Sequence, residues 1–480
     1  MKLANRPTMR NTIILILFVA ISSVGFSQNT MYNGNWKGEI KTKDTSFVVK
    51  IGTYSKFADS EHKKTIVGAM IYSPEFCAAE ETSFNDSILL LKAAKKDISF
   101  KGSLTADKNK MSGDFTYRGK VYKIDLRRGE KSAFRPQEPK KPYPYITEDV
   151  TFINKKDSVK LAGTLTIPKK EGSYPAVILI SGSEPTPRDG ESNFHKWHLV
   201  LADYLTKKGI AVLCYDSRGV NESKGNFYTS TSEDFAQDVI AGFNLLCERK
   251  EIDKNRIGLI GHSGGGLVAS IAASVNPKIG FVVLLASMGI SGKDDFMMQT
   301  DMKLKVGDFT REKHAFFTEF YNKCFSMIEK NYDSKTIRDT LKNNYKDKFI
   351  SCHKSAGISN NEMSMLEFGF TYLLMRMVNP NFCYYVKCDP AVYLKKLNCP
   401  VLSLNGSNDI SVSAEINQNA IRKALTKGGN KDFTVLELEG LNHTFQECKT
   451  GSLKESLELE QTISPKAMSV IAEWILKHTK

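Results

Sequence analysis

The sequence lacks several patterns that would assign it directly to a class of protein. It contains no C-x-x-C pair and no H-E-x-x-H motif, the usual signatures of zinc sites. It has no run of five basic residues, no internal repeat and, beyond residue 27, no apolar stretch long enough to span a bilayer. We therefore predict no metal, no organic cofactor, no nucleic-acid partner and no stable membrane insertion of the mature protein.

The composition is that of a folded globular protein. The 480 residues are 41% hydrophobic and 25% charged, with 33 Gly and 15 Pro, which excludes collagenous, low-complexity and disordered chains. At about 100 to 200 residues per domain, the length allows two or three domains. The formal charge of +14 is spread through Lys-rich surfaces, so it indicates at most a bias toward anionic surfaces or substrates.

The N-terminus resembles a secretory signal peptide. Three basic residues precede an apolar run at 13–21, and Gly25 and Ser27 stand at the spacing of a signal-peptidase site. The alternative is a membrane anchor, but the run is shorter than the roughly 20 residues that spanning requires. We expect residues 1–27 to be removed, which lowers the formal charge from +14 to +11, and the mature protein to be periplasmic or secreted.

The nine cysteines are an odd number for an exported protein, so at least one is free or pairs between chains. Cys383 and Cys388 are five residues apart in a segment without regular patterning. The sequence alone does not decide whether they form a local disulfide.

The pattern of the chain divides it into two folded parts. Residues 28–130 are short alternating segments separated by Gly, Asp and Asn clusters, which predicts a small all-β sandwich or barrel. Residues 131–146 are rich in proline and predict an extended, semi-rigid linker. From 147 to 480, short apolar runs alternate with helical stretches, which predicts a mainly parallel, doubly wound α/β domain.

One interval of the second part interrupts this alternation. Residues 291–394 read as helical and lie between two strand runs, so we predict a helical cap over a ligand site. Aromatic and methionine side chains are frequent in it, and as a group they predict an apolar wall for a substrate. Among them are Phe316, Phe317, Phe320, Tyr321, Phe370, Leu373 and Met377.

The strongest local signal is the segment Gly261–Gly265, which has the pattern G-x-S-x-G between a strand run and a helical stretch. A nucleophile on such a sharp turn adopts strained backbone angles, so its flanking positions need residues without clashing side chains. The turn would hold the Ser263 hydroxyl at the end of the sheet, where the helix N-terminus offers free N–H groups. Ser263 is therefore the candidate nucleophile.

A serine nucleophile needs a general base and an orienting carboxylate, which in this architecture follow in the order serine, acid, histidine. Asp409 lies just after the strand run 401–404, and His443 just after the run 433–438. Asp409 could instead be a turn former, with Asp432 as a poor substitute because it precedes its strand. We predict Asp409 and His443 as the other two catalytic residues.

The oxyanion of an acyl-transfer reaction needs two hydrogen-bond donors. The turn Ser181-Gly182-Ser183 follows the strand run 176–180, and Gly182 allows the backbone to approach a substrate. We predict the amides of Ser183 and Gly264 as the oxyanion donors, although an ordinary glycine turn is the alternative.

These residues together resemble the α/β-hydrolase superfamily. More narrowly, the chain is similar to secreted bacterial hydrolases of the esterase and dienelactone hydrolase-like type, some grouped with serine aminopeptidases, which carry a β-rich domain before the hydrolase. The resemblance covers residues 147–480 and is looser before 130. It rests on segments Arg135–Pro139, Ser181–Ser183, Arg188–Asp189, Asp216–Gly219, Gly261–Ser263 and Leu441–Phe445.

Two positions depart from the pattern of these relatives. Glu184 replaces a glycine that usually follows Ser-Gly-Ser, and a carboxylate there would repel an oxyanion unless it points away or pairs with a cation such as Arg188. Asn221 replaces another usual glycine, although Asn tolerates the left-handed conformation better than most residues.

The resemblance implies hydrolysis of a small-molecule carboxylic ester through an acyl-enzyme. The nearest alternative is a serine peptidase of the prolyl oligopeptidase or aminopeptidase kind, for which the sequence shows neither a propeller domain nor an acidic pair to hold a substrate amine. A further alternative is a catalytically inactive protein whose β domain binds a glycan or peptide. The oligomeric state is not predicted.

Overall fold

The computed structural model describes most of the chain after residue 33, and the predicted signal peptide lies outside the described residues. The described ranges are 34–42, 46–57, 65–73, 77–78, 81–84, 88–93, 97–106, 109–128, 135–169, 171–193, 195–306, 310–353 and 360–480.

The N-terminal part forms one antiparallel sheet of nine strands in the order β4-β3-β2-β1-β9-β8-β7-β6-β5. The strands are β1 (Gly34–Lys41), β2 (Ser46–Phe57), β3 (Thr65–Ser73), β4 (Cys77–Ala78), β5 (Glu81–Phe84), β6 (Ile88–Ala93), β7 (Ile98–Leu104), β8 (Lys110–Tyr117) and β9 (Lys120–Arg128). Strand β3 also contacts β5, so the two ends of the sheet curl toward each other.

One face of this sheet carries its own hydrophobic core. In β6 and β7, buried and more exposed residues alternate, as expected for strands with one covered face. The core includes Trp36, Phe100 and Phe115, none of which has exposed surface. The prediction of a separate all-β part at the N-terminus is confirmed.

The second sheet has eight strands in the order β10-β11-β15-β12-β16-β17-β18-β19. The first three strands in this order pair antiparallel, and all later neighbours pair parallel. The strands are β10 (Ile146–Asn154), β11 (Val159–Ile167), β12 (Tyr174–Ile180), β15 (Ala211–Tyr215), β16 (Ile252–His262), β17 (Phe281–Leu285), β18 (Val401–Gly406) and β19 (Phe433–Leu438), with a small hairpin of β13 (Glu191–Ser192) and β14 (His195–Lys196) outside the sheet.

Helices cover both faces of this sheet, which is why its central strands are continuous apolar runs. They are α1 (Trp197–Lys207), α2 (Ser232–Cys247), α3 (Gly264–Val275), α10 (Ala414–Lys427), α11 (Leu453–Glu458) and α12 (Pro465–His478). One core contains residues of α1 and α12, and the other contains residues of α2, α3 and α10. The predicted α/β fold is confirmed.

The interval between β17 and β18 is helical, as predicted. Its helices are α4 (Gly292–Val306), α5 (Arg311–Glu329), α6 (Ser334–His353), α7 (Asn360–Met377), α8 (Pro380–Lys387) and α9 (Ala391–Leu394). The aromatic side chains of α5 are buried in a separate hydrophobic core within the cap, together with residues of α6 and α7. The expectation of an apolar substrate wall is therefore wrong for Phe316, Phe317 and Phe320, which stabilise the cap internally.

Two further expectations can be compared with the described residues. Cys383 and Cys388 are both free thiols, so the disulfide that the sequence left open is absent. Among the residues that the structure describes, no helix combines the length and apolar character needed to cross a membrane.

The proline-rich segment binds to the C-terminal part of the chain. The Arg135 guanidinium donates to the Leu459 carbonyl at 2.9 Å. The Gln137 side chain accepts from the backbone N–H groups of Thr462 and Ile463 and donates to the Ile463 carbonyl at 2.6 Å. Residues in the predicted linker therefore hold a loop of the α/β part.

A buried ion pair ties helix α2 to the loop after β15. Arg218 donates to both carboxylate oxygens of Asp238, at 2.6 and 2.8 Å, and the side chains are 5% and 2% exposed. Asn154 of β10 donates to the same carboxylate at 2.7 Å. Arg218 also pairs with the more exposed Asp157 at 2.7 Å, so removing Asp238 would leave the buried guanidinium with that one carboxylate.

We expect Asp238→Ala to lower the free energy of unfolding by about 3 kcal/mol, because it leaves the buried Arg218 with only the more exposed Asp157 and removes the acceptor of the Asn154 amide. Urea unfolding followed by tryptophan fluorescence measures the change. The control is Asp253→Ala, which removes a partly exposed pair with Arg256 and should cost less than about 1 kcal/mol. Equal losses for the two variants would contradict the prediction.

Candidate active site

Ser263 lies on a sharp turn between β16 and α3. Its backbone has φ 55° and ψ −123°, a conformation that residues with a side chain rarely adopt. The Ser263 N–H donates to the Leu285 carbonyl at 2.8 Å, which fixes the turn against β17. A β-carbon at Gly261 would collide with the Gly265 carbonyl, so these two positions require glycine, as the sequence predicted.

Asp409 and His443 are brought into direct contact from two neighbouring strand-end loops. His443 Nδ1 lies 2.8 Å from Asp409 Oδ2, and the Asp409 side chain has no exposed surface. The other Asp409 oxygen accepts from the N–H groups of Ser411 and Val412 at 2.7 and 2.9 Å. These backbone donors hold the carboxylate so that Oδ2 faces the imidazole.

The loop that carries His443 is held by a network of amide side chains. Asn442 Oδ1 accepts from the N–H groups of Thr444 and Gln446, at 3.1 and 2.9 Å. Gln446 in turn donates to the Gln461 carbonyl at 2.7 Å. The position of the imidazole therefore depends on residues well beyond its own loop.

His262 is a residue at the site to which the sequence analysis assigned no role. Its Nε2 lies 2.8 Å from the His443 carbonyl, and its ring centroid lies 4.9 Å from that of His443. The Trp197 ring lies 5.1 Å away. Burial, and then the nearby His443, lowers the pKa of His262 to about 3, so it is a neutral imidazole whose Nε2–H donates. Its position directly before Ser263 was the signal that could have indicated this role.

Ser263 and His443 are joined through this neighbour. Within the described part of the chain, the Ser263 hydroxyl makes no hydrogen bond with His443. His262 follows β16 into the turn and holds the His443 backbone, so both candidate residues are fixed to the same strand end. A hydroxyl–imidazole contact in enzymes of this kind often tightens only when substrate is bound.

The turn Ser181–Ser183 lies beside Ser263. A β-carbon at Gly182 would lie 3.4 Å from the Ser263 Cβ. A β-carbon at Gly264 would lie 3.2 Å from the Ser183 amide nitrogen and would collide with the Ser183 hydroxyl, so this approach requires glycine. The structure thus brings the two predicted oxyanion donors next to each other.

The described residues contain no cluster of three or more His, Cys, Asp or Glu side chains that could hold a metal ion. The site consists of a hydroxyl, an imidazole, a carboxylate and backbone amides. Such groups suit nucleophilic chemistry on a carbonyl.

The chain is similar in sequence to known hydrolases. The family model described as serine aminopeptidase, S33, matches residues 194–322, which include the Ser263 turn. Esterase EstD of Thermotoga maritima is 23% identical over 359 residues, which are 75% of this chain and 74% of EstD. The chain has an α/β-hydrolase fold.

Two further known proteins are similar to this chain. The 2,6-dihydropseudooxynicotine hydrolase of Paenarthrobacter nicotinovorans is 27% identical over 146 residues, which are 30% of this chain and 36% of that enzyme. The alignment with a solved structure of an esterase from Pyrococcus furiosus covers 69% of this chain and 91% of the esterase chain, with 17% identity and a TM-score of 0.44.

Glu184 of the hydrolase does pair with a cation, but not with the expected one. Its carboxylate contacts the Arg376 guanidinium of helix α7. Arg188 is occupied elsewhere: its Nε and Nη2 donate to Asp216 at 3.0 and 2.7 Å. Asn221 has φ 45°, in the left-handed region that the sequence predicted it would tolerate.

Three histidines near the His443 loop are buried and neutral. Burial lowers the pKa of His195 to about 3, of His198 to about 4 and of His262 to about 3. In the unfolded chain each would have a pKa of about 6.5. Unfolding below that pH therefore takes up protons.

We expect the stability of the hydrolase to fall as the pH drops from about 6.5 to about 5. The unfolded histidines are then protonated while the folded ones are not, so each adds a slope approaching 1.4 kcal/mol per pH unit. Urea midpoints measured between pH 7.5 and pH 5 test this. His195→Gln should remove the contribution of about one proton to this slope. Midpoints independent of pH would contradict the expectation.

Proposed function

We propose that this α/β-hydrolase cleaves carboxylic esters through an acyl-enzyme formed on Ser263. The observation that carries the proposal is the Asp409–His443 hydrogen bond of 2.8 Å in the loops next to the strained Ser263 turn. The three residues follow in the chain order serine, acid, histidine that such hydrolases use.

The reaction has two steps. Ser263 Oγ bonds to the ester carbonyl carbon while His443 takes the hydroxyl proton, and His443 then gives that proton to the alcohol as the ester bond breaks. Water then bonds to the acyl carbon while His443 takes one of its protons; the bond to Ser263 Oγ breaks, His443 returns the proton to Oγ, and the carboxylic acid leaves.

The protein supplies two further kinds of stabilisation. Asp409 holds one tautomer of His443 and stabilises the imidazolium that forms. The amides of Ser183 and Gly264 donate to the oxyanion of each tetrahedral intermediate, and each such donor is typically worth about 10² to 10³ in rate. His262 holds the His443 backbone and acts as a positioning residue.

The similarity to EstD supports an ester as the substrate, since that relative is an esterase by name. The family description, serine aminopeptidase, supports the second candidate, cleavage of a peptide amide by the same residues. The two candidates differ in the substrate and share the mechanism.

Ser263→Ala should abolish labelling by a fluorophosphonate probe and reduce ester turnover at least about 10³-fold, because the nucleophile is lost. Gel fluorescence and hydrolysis of p-nitrophenyl butyrate at neutral pH measure the two effects. Ser274→Ala, on the following helix, is the matched control and should label like the unmodified protein. Equal labelling of Ser263→Ala, or no labelling of the unmodified protein, would refute the mechanism.

The choice between ester and amide is tested by comparing short-chain p-nitrophenyl esters with aminoacyl and dipeptidyl anilides. We expect kcat/KM for the esters to exceed that for the anilides beyond their difference in intrinsic reactivity, which alkaline hydrolysis of the same compounds calibrates. Efficient anilide cleavage that depends on Ser263 would favour the peptidase.

The export of the protein is part of the proposal, and the basic and apolar pattern of residues 1–27 supports it. Expression of the full chain in a Gram-negative host should yield a periplasmic or secreted product whose first residue is Gln28. N-terminal sequencing of that product checks the cleavage site. A cytoplasmic product that still begins at Met1 would contradict export.

A further inference from the structure

The ion pair between Glu184 and Arg376 joins two parts of the molecule that are distant in sequence. Glu184 directly follows Ser183, a candidate oxyanion donor, and Arg376 lies in the last turn of the cap helix α7. Both side chains are 27% exposed. The pair is thus a direct contact between the oxyanion turn and the cap.

The main chain around Glu184 is anchored on its C-terminal side. The Thr186 hydroxyl donates to the Glu184 carbonyl at 2.8 Å, and the Thr186 N–H donates to the Ser217 hydroxyl at 3.1 Å. On the other side, Gly182 lies against Ser263. The carboxylate is therefore confined to the neighbourhood of the site.

The Glu184 carboxylate is only partly exposed to water, and Arg376 is its cationic partner. Desolvation raises the pKa of Glu184, and the Arg376 charge and hydrogen bond oppose that rise. The other titratable or charged groups near the pair are Tyr228 before α2, Tyr372 of α7, Tyr321 of α5 and, near Arg376, Lys303 of α4.

An unpaired carboxylate at this position would oppose catalysis. The tetrahedral intermediate carries negative charge on an oxygen bound by the Ser183 amide, one residue from Glu184, and like charges repel strongly where water is scarce. The guanidinium of Arg376 offsets this repulsion and draws the carboxylate toward the cap.

We propose that Arg376 is a positioning residue that couples the cap to the oxyanion turn by neutralising and holding Glu184. The inference rests on the proposed function of Ser263 and its oxyanion donors. Under it, while Glu184 carries its charge, the oxyanion site is fully effective only when helix α7 is docked with Arg376 on that carboxylate.

Comparison of Arg376→Gln with the double variant Arg376→Gln/Glu184→Gln tests the coupling. Arg376→Gln removes the cation and leaves the carboxylate, so we expect kcat for p-nitrophenyl butyrate to fall about 10- to 100-fold, with KM changing less than about threefold. Adding Glu184→Gln to that variant removes the repulsive charge and should restore kcat to within about threefold of the unmodified protein.

The pH dependence provides a readout that a purely structural role would not change. Without Arg376, Glu184 keeps only the desolvation that raises its pKa, and it repels the oxyanion only when ionised. The ratio of kcat in Arg376→Gln to kcat in the double variant should therefore fall as the pH rises and approach one at low pH. The ratio removes any pH dependence that both variants share.

Lys346→Gln is the matched control, because it breaks a different ion pair of helix α7, that with Glu367. It should change neither kcat nor its pH dependence. An Arg376→Gln variant with unchanged kcat, or one whose loss the second substitution does not restore, overturns the coupling while Ser263-dependent activity persists. Absence of that activity in the unmodified protein refutes the proposed function itself, and the coupling with it.

Discussion

The left-handed backbone of Ser263 is the constraint around which the rest of the site is arranged. A residue with a side chain in that conformation is strained, and the strain persists only because the surroundings fix it. The hydrogen bond to Leu285 and the absence of side chains at Gly261 and Gly265 provide this support. The same turn begins helix α3, so its free amides and positive dipole end face the position where negative charge would develop.

The cap packs against the sheet less extensively than the helices that cover the two faces of the sheet. Its helices α4 to α7 share a core of their own, whereas Cys388 and Leu394, in the region of α8 and α9, pack into the core of the sheet. Polar contacts connect α4 and α7 to the site: Gln299 donates to the Ser411 carbonyl at 2.9 Å, and Arg376 pairs with Glu184. Contacts of this kind can separate and re-form without exposing an apolar core.

The local sequence was sufficient to predict the helices and strands of the α/β part and the polar residues at its strand ends. The strands around Ser263, Asp409 and His443 are apolar runs with distinct ends, so each candidate residue could be assigned to a loop at the same edge of the sheet. Contacts between distant segments were not accessible in this way. The partner of Glu184 lies 192 positions away on a helix, and no pattern near Glu184 distinguishes Arg376 from the closer Arg188. The aromatics of α5 were misassigned because helical spacing shows that a face is buried and does not show against what.

The contacts of Arg135 and Gln137 change how the boundary between the two parts of the chain should be treated. Both side chains bind the segment from Leu459 to Ile463, and Gln446 reaches the same segment from the loop of His443. The proline-rich stretch therefore holds a segment that Gln446 also binds, and Gln446 belongs to the amide network that holds the His443 loop. A shortened gene meant to express the α/β part alone should start upstream of Arg135. A start at β10 would remove Arg135 and Gln137 together with their contacts.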